Sequence, residues 1–245
     1  MKLLVGTSGF AFKEWRGVFY PEAVKDDAML GFYSTRYVTV EINNTFYRLP
    51  RESVLQDWAA QVPDGFTFAI KASRRITHFA RLKADAGTAL GILLQNTATL
   101  GSRLGPILFQ CPPDLEKDID RLRAFLGLLP GERRFTMEFR HESWFDDDVF
   151  AALRERDVAL CVSEQEDFHS PTVSTASWGY LRLHRLDYAP PALAAWRSFV
   201  AAQPWSEAFV FFKHDHADGS GPPAVEAFTR AAGGSEVGAA SHSGG

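Results

Sequence analysis

Charged and amide side chains recur at the ends of short segments that are otherwise rich in β-branched and aromatic residues. These segments read LLVGTSG, YVTVEINNTFY, FTFAIKA, PILFQCPP, FTMEFRH, VALCVSE, GYLRLHR and FVFFKHD. The polar residues at or near their ends include Glu41, Lys71, Gln110, Glu138, Arg182 and Lys213. If the segments are parallel strands of a closed barrel, these side chains converge on the carboxyl-terminal face, where such barrels keep their active sites. The pattern predicts where a site lies without naming its reaction.

Two glutamates of this set are the candidate catalytic residues. Successive side chains along a strand point to opposite faces, so each glutamate shares its face with the residue two positions later. Glu138 then lies beside Arg140, which predicts an ionised carboxylate that acts as a general base in a solvent-filled mouth. Glu41 lies beside Asn43 and has no obvious cation nearby, so we expect a raised pKa and the role of general acid.

The other polar residues of this face are predicted to bind the substrate. They are Asn43, Lys71, His78, Gln110, Arg140, Arg182, His184 and Lys213. Arginine and lysine clamp anionic groups through charge-assisted hydrogen bonds, and here the cations outnumber the carboxylates. The sequence therefore favours an enzyme, a hydrolase, lyase or isomerase, that acts on a small anionic or polar substrate, including a phosphorylated one. Two alternatives stay open: a non-catalytic binding protein for a phosphorylated or nucleic-acid-derived ligand, and a set of charges that pair with one another and only close the core.

A metal-dependent hydrolase or nuclease is a further alternative. His184, His214 and His216, together with Glu138, offer imidazole and carboxylate ligands of the kind that barrel nucleases and sugar isomerases use. The lysines and arginines of the same face would surround such an ion with positive charge. We therefore predict no metal and no other cofactor.

The composition favours one globular domain. The chain has 245 residues, of which 46% are hydrophobic, and a net charge of −4. That charge argues against a generally basic nucleic-acid surface but not against a local positive cleft. The two cysteines, Cys111 and Cys161, have no paired spacing and are interpreted as small core hydrophobes. The chain shows no signal sequence and no apolar run long enough to span a bilayer, which predicts a cytoplasmic protein without a membrane partner.

Strand-like and helix-like segments alternate along most of the chain. Apolar spacing and start signals predict helices at 26–35, 52–61, 86–100, 115–129, 145–156, 191–202 and 224–232. About eight strands that alternate with helices predict an α/β fold, a (β/α)8 barrel of TIM type formed by residues 1–232. The connection 164–178 lacks a clear helix pattern. The Gly-rich segment 233–245 is interpreted as a flexible tail.

Several long motifs follow one another in a distinctive order. They are GTSGFAFKEWRGVFYP, FYSTRYVTVEINNTFYRLP, FTFAIKASRRITH, LGPILFQCPP, MEFRHESW, YLRLHR and FVFFKHD. Together they resemble the YecE-like family, also called domain of unknown function family 72. The resemblance implies a barrel related to the TIM fold and no established activity. The chain has Cys111 where that family usually places leucine, and its last strand ends in FFKHD instead of an Asn-rich version, so no amide-dependent role is carried over there.

Overall fold

The computed structural model of the chain describes residues 1–213 and 221–231. These residues form a ring of strands surrounded by helices. The strands are β1 (Lys2–Thr7), β2 (Thr39–Ile42), β3 (Thr67–Lys71), β4 (Leu104–Gln110), β5 (Phe135–Glu138), β6 (Ala159–Gln165), β7 (Phe168–His169), β8 (Gly179–Leu183) and β9 (Glu207–Phe212). All of them pair in parallel except β7, which runs antiparallel to β6.

The parallel strands form a nearly closed barrel. Neighbours pair in the order β1–β9–β8–β6–β5–β4–β3–β2. The ring is completed between β1 and β2 by a parallel bridge of Ser8 with Glu41. The predicted TIM-type barrel is therefore confirmed, and the carboxyl ends of its eight parallel strands face the same mouth.

The helices follow the strands in the order that the sequence predicts. They are α1 (Met29–Ser34), α2 (Glu52–Gln61), α3 (Ala86–Thr97), α4 (Ile119–Gly127), α5 (Asp147–Arg154), α6 (Pro190–Ala201) and α7 (Gly221–Arg230). The prediction that a helix begins at 115 is wrong, because Leu115 is in a turn that follows Pro112. Asp118 caps α4 by accepting a hydrogen bond from the Arg121 backbone N–H, so the helix begins after it. The predicted tail 233–245 lies outside the described residues.

The connection between β6 and β8 departs from strict alternation. It contains β7, which folds back on β6 so that His169 pairs with Glu164, and no helix follows before β8. The absence of a helical pattern over 164–178 is therefore confirmed. A hairpin in place of a helix lets this connection reach the mouth, where Phe168 lies against Arg140.

The core has two layers because side chains alternate along every strand. The inner layer, inside the barrel, consists of Leu4, Ala69, Leu108, Ala159, Cys161, Trp178, Tyr180, Phe209 and Phe211. Val40 and Met137 belong to the outer layer, where strands meet helices, as the alternation predicts. Both cysteines are free and buried, which confirms their assignment to the core. Among the described residues, no helix is long and apolar enough to cross a membrane.

We expect opposite effects from two glycine substitutions. A Cβ at Gly179, which begins β8, would overlap the ring of Trp205, whereas a Cβ at Gly91 in α3 meets no neighbouring atom. Gly179→Ala should lower the free energy of unfolding by about 1–3 kcal/mol through overpacking. Gly91→Ala should raise it by about 0.5–1 kcal/mol, because alanine favours the helix. Urea denaturation measures both, and equal shifts in the two variants would contradict the packing described for β8.

Candidate active site

A buried arginine joins two strands across the mouth of the barrel. Arg182, on β8, is 4% exposed and donates from Nε and Nη2 to the two carboxylate oxygens of Glu41 at 3.0 Å each. Its Nη1 donates to Oε2 of Glu138 at 2.6 Å. The guanidinium therefore bridges the two predicted catalytic carboxylates, which come from β2 and β5.

Glu138 is surrounded by donors. Besides Arg182, its Oε2 accepts from Nε2 of Gln110 at 2.9 Å. Its Oε1 accepts from Nε of Arg140 at 2.6 Å and from the hydroxyl of Ser163 at 3.2 Å. The residue is 0% exposed, so the expectation that it faces a solvent-filled mouth is wrong. An ionised carboxylate offers about four lone-pair sites, and this one has them filled.

Glu41 is equally saturated. In addition to the two bonds from Arg182, it accepts at Oε1 from Nδ2 of Asn43 at 2.9 Å and at Oε2 from the Tyr180 hydroxyl at 2.7 Å. Asn43 lies beside Glu41 as the alternation predicts. Arg182 was predicted at the same mouth, but its pairing with Glu41 was not, because it comes from β8, far along the chain.

Both carboxylates are held ionised. Burial alone raises the pKa of a carboxyl group, but the charge of Arg182 outweighs it here and lowers the pKa of Glu41 to about 2. The same balance, with Arg182 and then Arg140 as the cations, lowers the pKa of Glu138. This direction agrees with the expectation of an ionised Glu138. The prediction of a raised pKa for Glu41 is wrong, because it considered neighbours on one strand only.

Lys71, at the end of β3, is half-buried beside this cluster. Its Nζ lies 4.4 Å from the ring centre of Phe46, and it makes no ion pair with a carboxylate in the part of the chain that the structure describes. Burial, and then the charge of Arg182, lower its pKa to about 8, against the attraction of Glu138 and Glu41. The ammonium therefore remains the main form at pH 7, but it releases its proton more readily than an ordinary lysine does, which suits a proton-transfer group.

Arg140 forms the outer edge of the cluster. Its side chain is 21% exposed and its guanidinium lies 5.6 Å from the ring centre of Phe168. Nε and Nη2 face Glu138, and among the described residues no hydrogen bond is made by Nη1. Arginine has five N–H donors, so this side chain keeps donors for a ligand in the mouth.

Two histidines flank the cluster on opposite sides. His184 shares a hydrogen bond of 2.8 Å between its Nε2 and the Ser8 hydroxyl, and its pKa is lowered by burial and by Arg182. His78 is bonded through Nδ1 to the hydroxyl of Thr77, and its pKa is lowered by burial and by Lys71. Both rings are therefore favoured in the neutral form.

The remaining predicted ligands fall at or beyond the last strand. Lys213 follows β9, and its backbone N–H donates to the carbonyl oxygen of Leu183 at 3.3 Å, which places it at the same mouth. His214 and His216 lie outside the described residues. Within residues 1–213 and 221–231, no group of three or more His, Cys, Asp or Glu residues is arranged to hold a metal ion.

Sequence reasoning missed two members of the cluster. Tyr180 and Ser163 each donate a hydroxyl to a carboxylate, to Glu41 and Glu138 respectively. Tyr180 lies two positions before Arg182 and therefore shares its face, so the alternation could have identified it. Ser163 shares a face with Cys161 in the same way, but a serine in an apolar segment gives no signal of its own.

Comparison with known proteins identifies relatives without an assigned activity. The family model described as "Protein of unknown function DUF72" matches residues 4–243. The chain is 28% identical to the UPF0759 protein YecE of Escherichia coli over 144 residues, which cover 56% of this chain and 53% of YecE. It is 28% identical to the UPF0759 protein YunF of Bacillus subtilis over 140 residues, 54% of this chain and 49% of YunF. The matched segment spans about half the length of each of these curated relatives.

Solved structures share the fold over nearly the whole chain. A DUF72 family protein from Thermotoga maritima superposes with a TM-score of 0.81 at 23% identity, covering 94% of this chain and 98% of that one. A DUF72 family protein from Enterococcus faecalis superposes with a TM-score of 0.79 at 16% identity, covering 96% and 97%. At such identities the likeness concerns the barrel itself.

Removing the central cation should make stability depend on pH in a characteristic way. Arg182→Met leaves two buried carboxylates with fewer partners, which should lower the free energy of unfolding at pH 7 by about 3–5 kcal/mol. In the native protein the lowered carboxyl pKa values stabilise the fold above the unfolded pKa of about 4.3, and this contribution is lost as pH falls. In the variant we expect the pKa values of Glu41 and Glu138 to be raised. Their buried negative charges then destabilise the fold at pH 7, and protonation removes this destabilisation as pH falls.

The stability gap between native protein and Arg182→Met should therefore narrow between pH 7 and pH 4. Urea denaturation at both pH values measures it, with Arg36→Met as the control because Arg36 is exposed, lies over the ring of Phe32 and, among the described residues, forms no ion pair with either glutamate. A gap that stays constant with pH would show that the lost stability comes from packing instead of charge.

Proposed function

The chain belongs to the DUF72 family of proteins of unknown function, and we propose that it is an enzyme that binds a small anionic substrate at the barrel mouth, with Lys71 as the proton-transfer group. Arg140 and Lys71 hold the anion in this proposal. The observation that carries it is a half-buried lysine, without a carboxylate partner among the described residues, beside a carboxylate–arginine cluster whose own charges are paired.

The charge balance of the mouth favours an anion. Within the cluster, Lys71, Arg140 and Arg182 bring three positive charges and Glu41 and Glu138 bring two negative ones, and Lys213 lies at the same mouth. One negative charge near Lys71 would complete the pairing. Charge-assisted hydrogen bonds from arginine and lysine would then hold a carboxylate, sulfate or phosphate group in a partly water-excluded place.

The two glutamates are better suited to fixing charge than to moving protons. Every oxygen of both carboxylates accepts at least two hydrogen bonds, so a proton or a metal ion would have to displace an existing donor. This saturation counts against the general acid and base roles expected for Glu41 and Glu138. It also counts against a metal-dependent hydrolase or nuclease and against the paired carboxylic acids of a glycoside hydrolase.

Lys71 has the properties that the glutamates lack. Its ammonium would hold the anion and give its proton to an oxygen of the bound substrate, and the neutral amine that results is favoured by burial and by the charge of Arg182. Taking a proton back from a carbon of the substrate would complete an isomerisation or an elimination. The reaction classes that fit are therefore isomerases and lyases, with the anionic group as the handle for binding.

Sulfate binding tests the proposed anion site. Sulfate keeps its charge over the range used, so its affinity should fall as pH rises through about 8, because Lys71 loses its proton. Lys71→Arg should bind without this pH dependence, and Lys71→Met should bind at least about tenfold more weakly at pH 7. Calorimetric titration measures the affinities, with Lys2→Met as the control because Lys2 is exposed at the opposite end of β1. Equal affinities in native protein and Lys71→Met would refute the site.

Mass spectrometry of co-purifying small molecules separates an enzyme from a binding protein. If Lys71 moves a proton in a reaction, the Lys71→Arg variant should retain an unreacted anionic compound that the native protein converts and releases. The variant keeps the positive charge, so binding is preserved while proton transfer is not. Identical cargo on both proteins would instead identify a barrel that captures its ligand without turnover.

A further inference from the structure

An exposed surface of arginines and aromatic rings lies beside the mouth, on the loops that follow β2 and β3. We call it the arginine–aromatic surface, and it consists of Tyr47, Arg48, Arg51, Arg74, Arg75 and Phe79. Tyr47 is 69% exposed and Phe79 is 67% exposed. Large rings of this kind are normally more buried. Two exposed rings on one surface together with arginines are typical of a binding site.

The rings and cations of this surface are in contact. The guanidinium of Arg74 lies 5.5 Å from the ring centre of Tyr47 and 5.2 Å from that of Phe79. Tyr47 packs edge-on against Phe46, with ring centres 5.2 Å apart. The Nζ of Lys71 lies over the ring of Phe46. A continuous path of rings and positive charges therefore leads from the mouth to the outer surface.

The positive charge of this surface is not neutralised locally. Arg48, Arg51, Arg74 and Arg75 form no ion pair with a carboxylate within residues 1–213 and 221–231, whereas the adjacent Arg81 is paired with Asp114 at 2.8 Å. The whole chain has a net charge of −4, so four unpaired arginines on two neighbouring loops are a local concentration. Such a concentration attracts polyanions even when the protein as a whole is acidic.

The loops are held in place by hydrogen bonds. The Thr45 hydroxyl donates to the carbonyl oxygen of Lys71 at 2.6 Å, and Asn96 donates to that of Pro50 at 2.7 Å. Beside them a cavity of about 290 Å³ is lined in part by Arg48, Arg51 and Trp58. The rings and guanidinium groups are thus presented on a fixed support, which reduces the entropy lost when a ligand binds.

We propose that the arginine–aromatic surface binds single-stranded nucleic acid. The arginines would contact successive phosphates, and exposed bases would stack on Tyr47 and Phe79, which is how proteins hold single strands without reading their sequence. A duplex hides the faces of its bases and gives these rings nothing to stack on. This inference concerns a second surface and goes beyond the small-anion site at Lys71.

Fluorescence anisotropy with a labelled single strand of about 12 nucleotides tests the proposal, since sites of this kind cover roughly 4–16 nucleotides. We expect binding that weakens between about 50 and 200 mM salt, with a slope of about 3 in log affinity against log salt for four phosphate contacts. Arg74→Ala should reduce that slope by about 0.7. Tyr47→Ala and Phe79→Ala should each weaken binding at least about fivefold while leaving the slope unchanged.

The matched control is Arg36→Ala, because Arg36 is also an exposed arginine over a ring, that of Phe32, but it lies before β2 and so near the opposite end of the barrel. It should bind like the native protein. The proposal is overturned if no single strand binds at low salt, or if Arg36→Ala and Arg74→Ala bind alike. It is also overturned if a duplex of the same length binds as tightly and the two ring substitutions have no effect, since the surface would then be a general polyanion site.

Discussion

The structure depends on a single guanidinium that is buried where three strands approach the barrel mouth. A lone charge in a protein interior is strongly disfavoured, and it becomes acceptable only when partners supply both opposite charge and hydrogen bonds. Arg182 meets this condition with Glu41 and Glu138, which reach it from β2 and β5. The three strands are spaced around the ring, so their side chains meet only if the barrel closes in the observed register. The ion cluster therefore forms only in the closed barrel.

The same cluster determines which side chains can do chemistry. Glu41 and Glu138 are fully engaged, and their hydrogen bonds fix the side chains around them, including Gln110 and Tyr180. In the proposed function the reactive group is Lys71, whose pKa is shifted by burial and by the charges of the cluster although it forms no ion pair with a carboxylate among the described residues. Glu41, Glu138 and Arg182 pair with one another and close the top of the core, which is one of the alternatives that the sequence left open. Lys71 and Arg140 form a more accessible edge of the same mouth.

The sequence was sufficient for features that depend on local periodicity. Alternation along single strands identified the barrel and the inward positions of Glu41, Glu138 and Arg182, and it separated them from outward residues such as Val40 and Met137. It failed for properties that depend on pairing between distant strands. The pKa of Glu41 is set by an arginine 141 positions later in the chain, and no pattern within β2 reveals that partner. The turn at Leu115 was missed for a different, local reason, because apolar spacing continues through residues that precede the Asp118 cap.

The order of the cluster's members along the chain has a consequence for biosynthesis. A ribosome releases Glu41 and Glu138 well before Arg182, so a nascent chain that ends before β8 holds two carboxylates for which the central counter-charge does not yet exist. Their burial in that fragment is opposed by the desolvation of two negative charges. Emergence of β8 supplies the guanidinium and removes that opposition at a late point of translation. A cut between β5 and β8 would divide these charges between two fragments, so neither fragment could pair its own buried charges before the two associate.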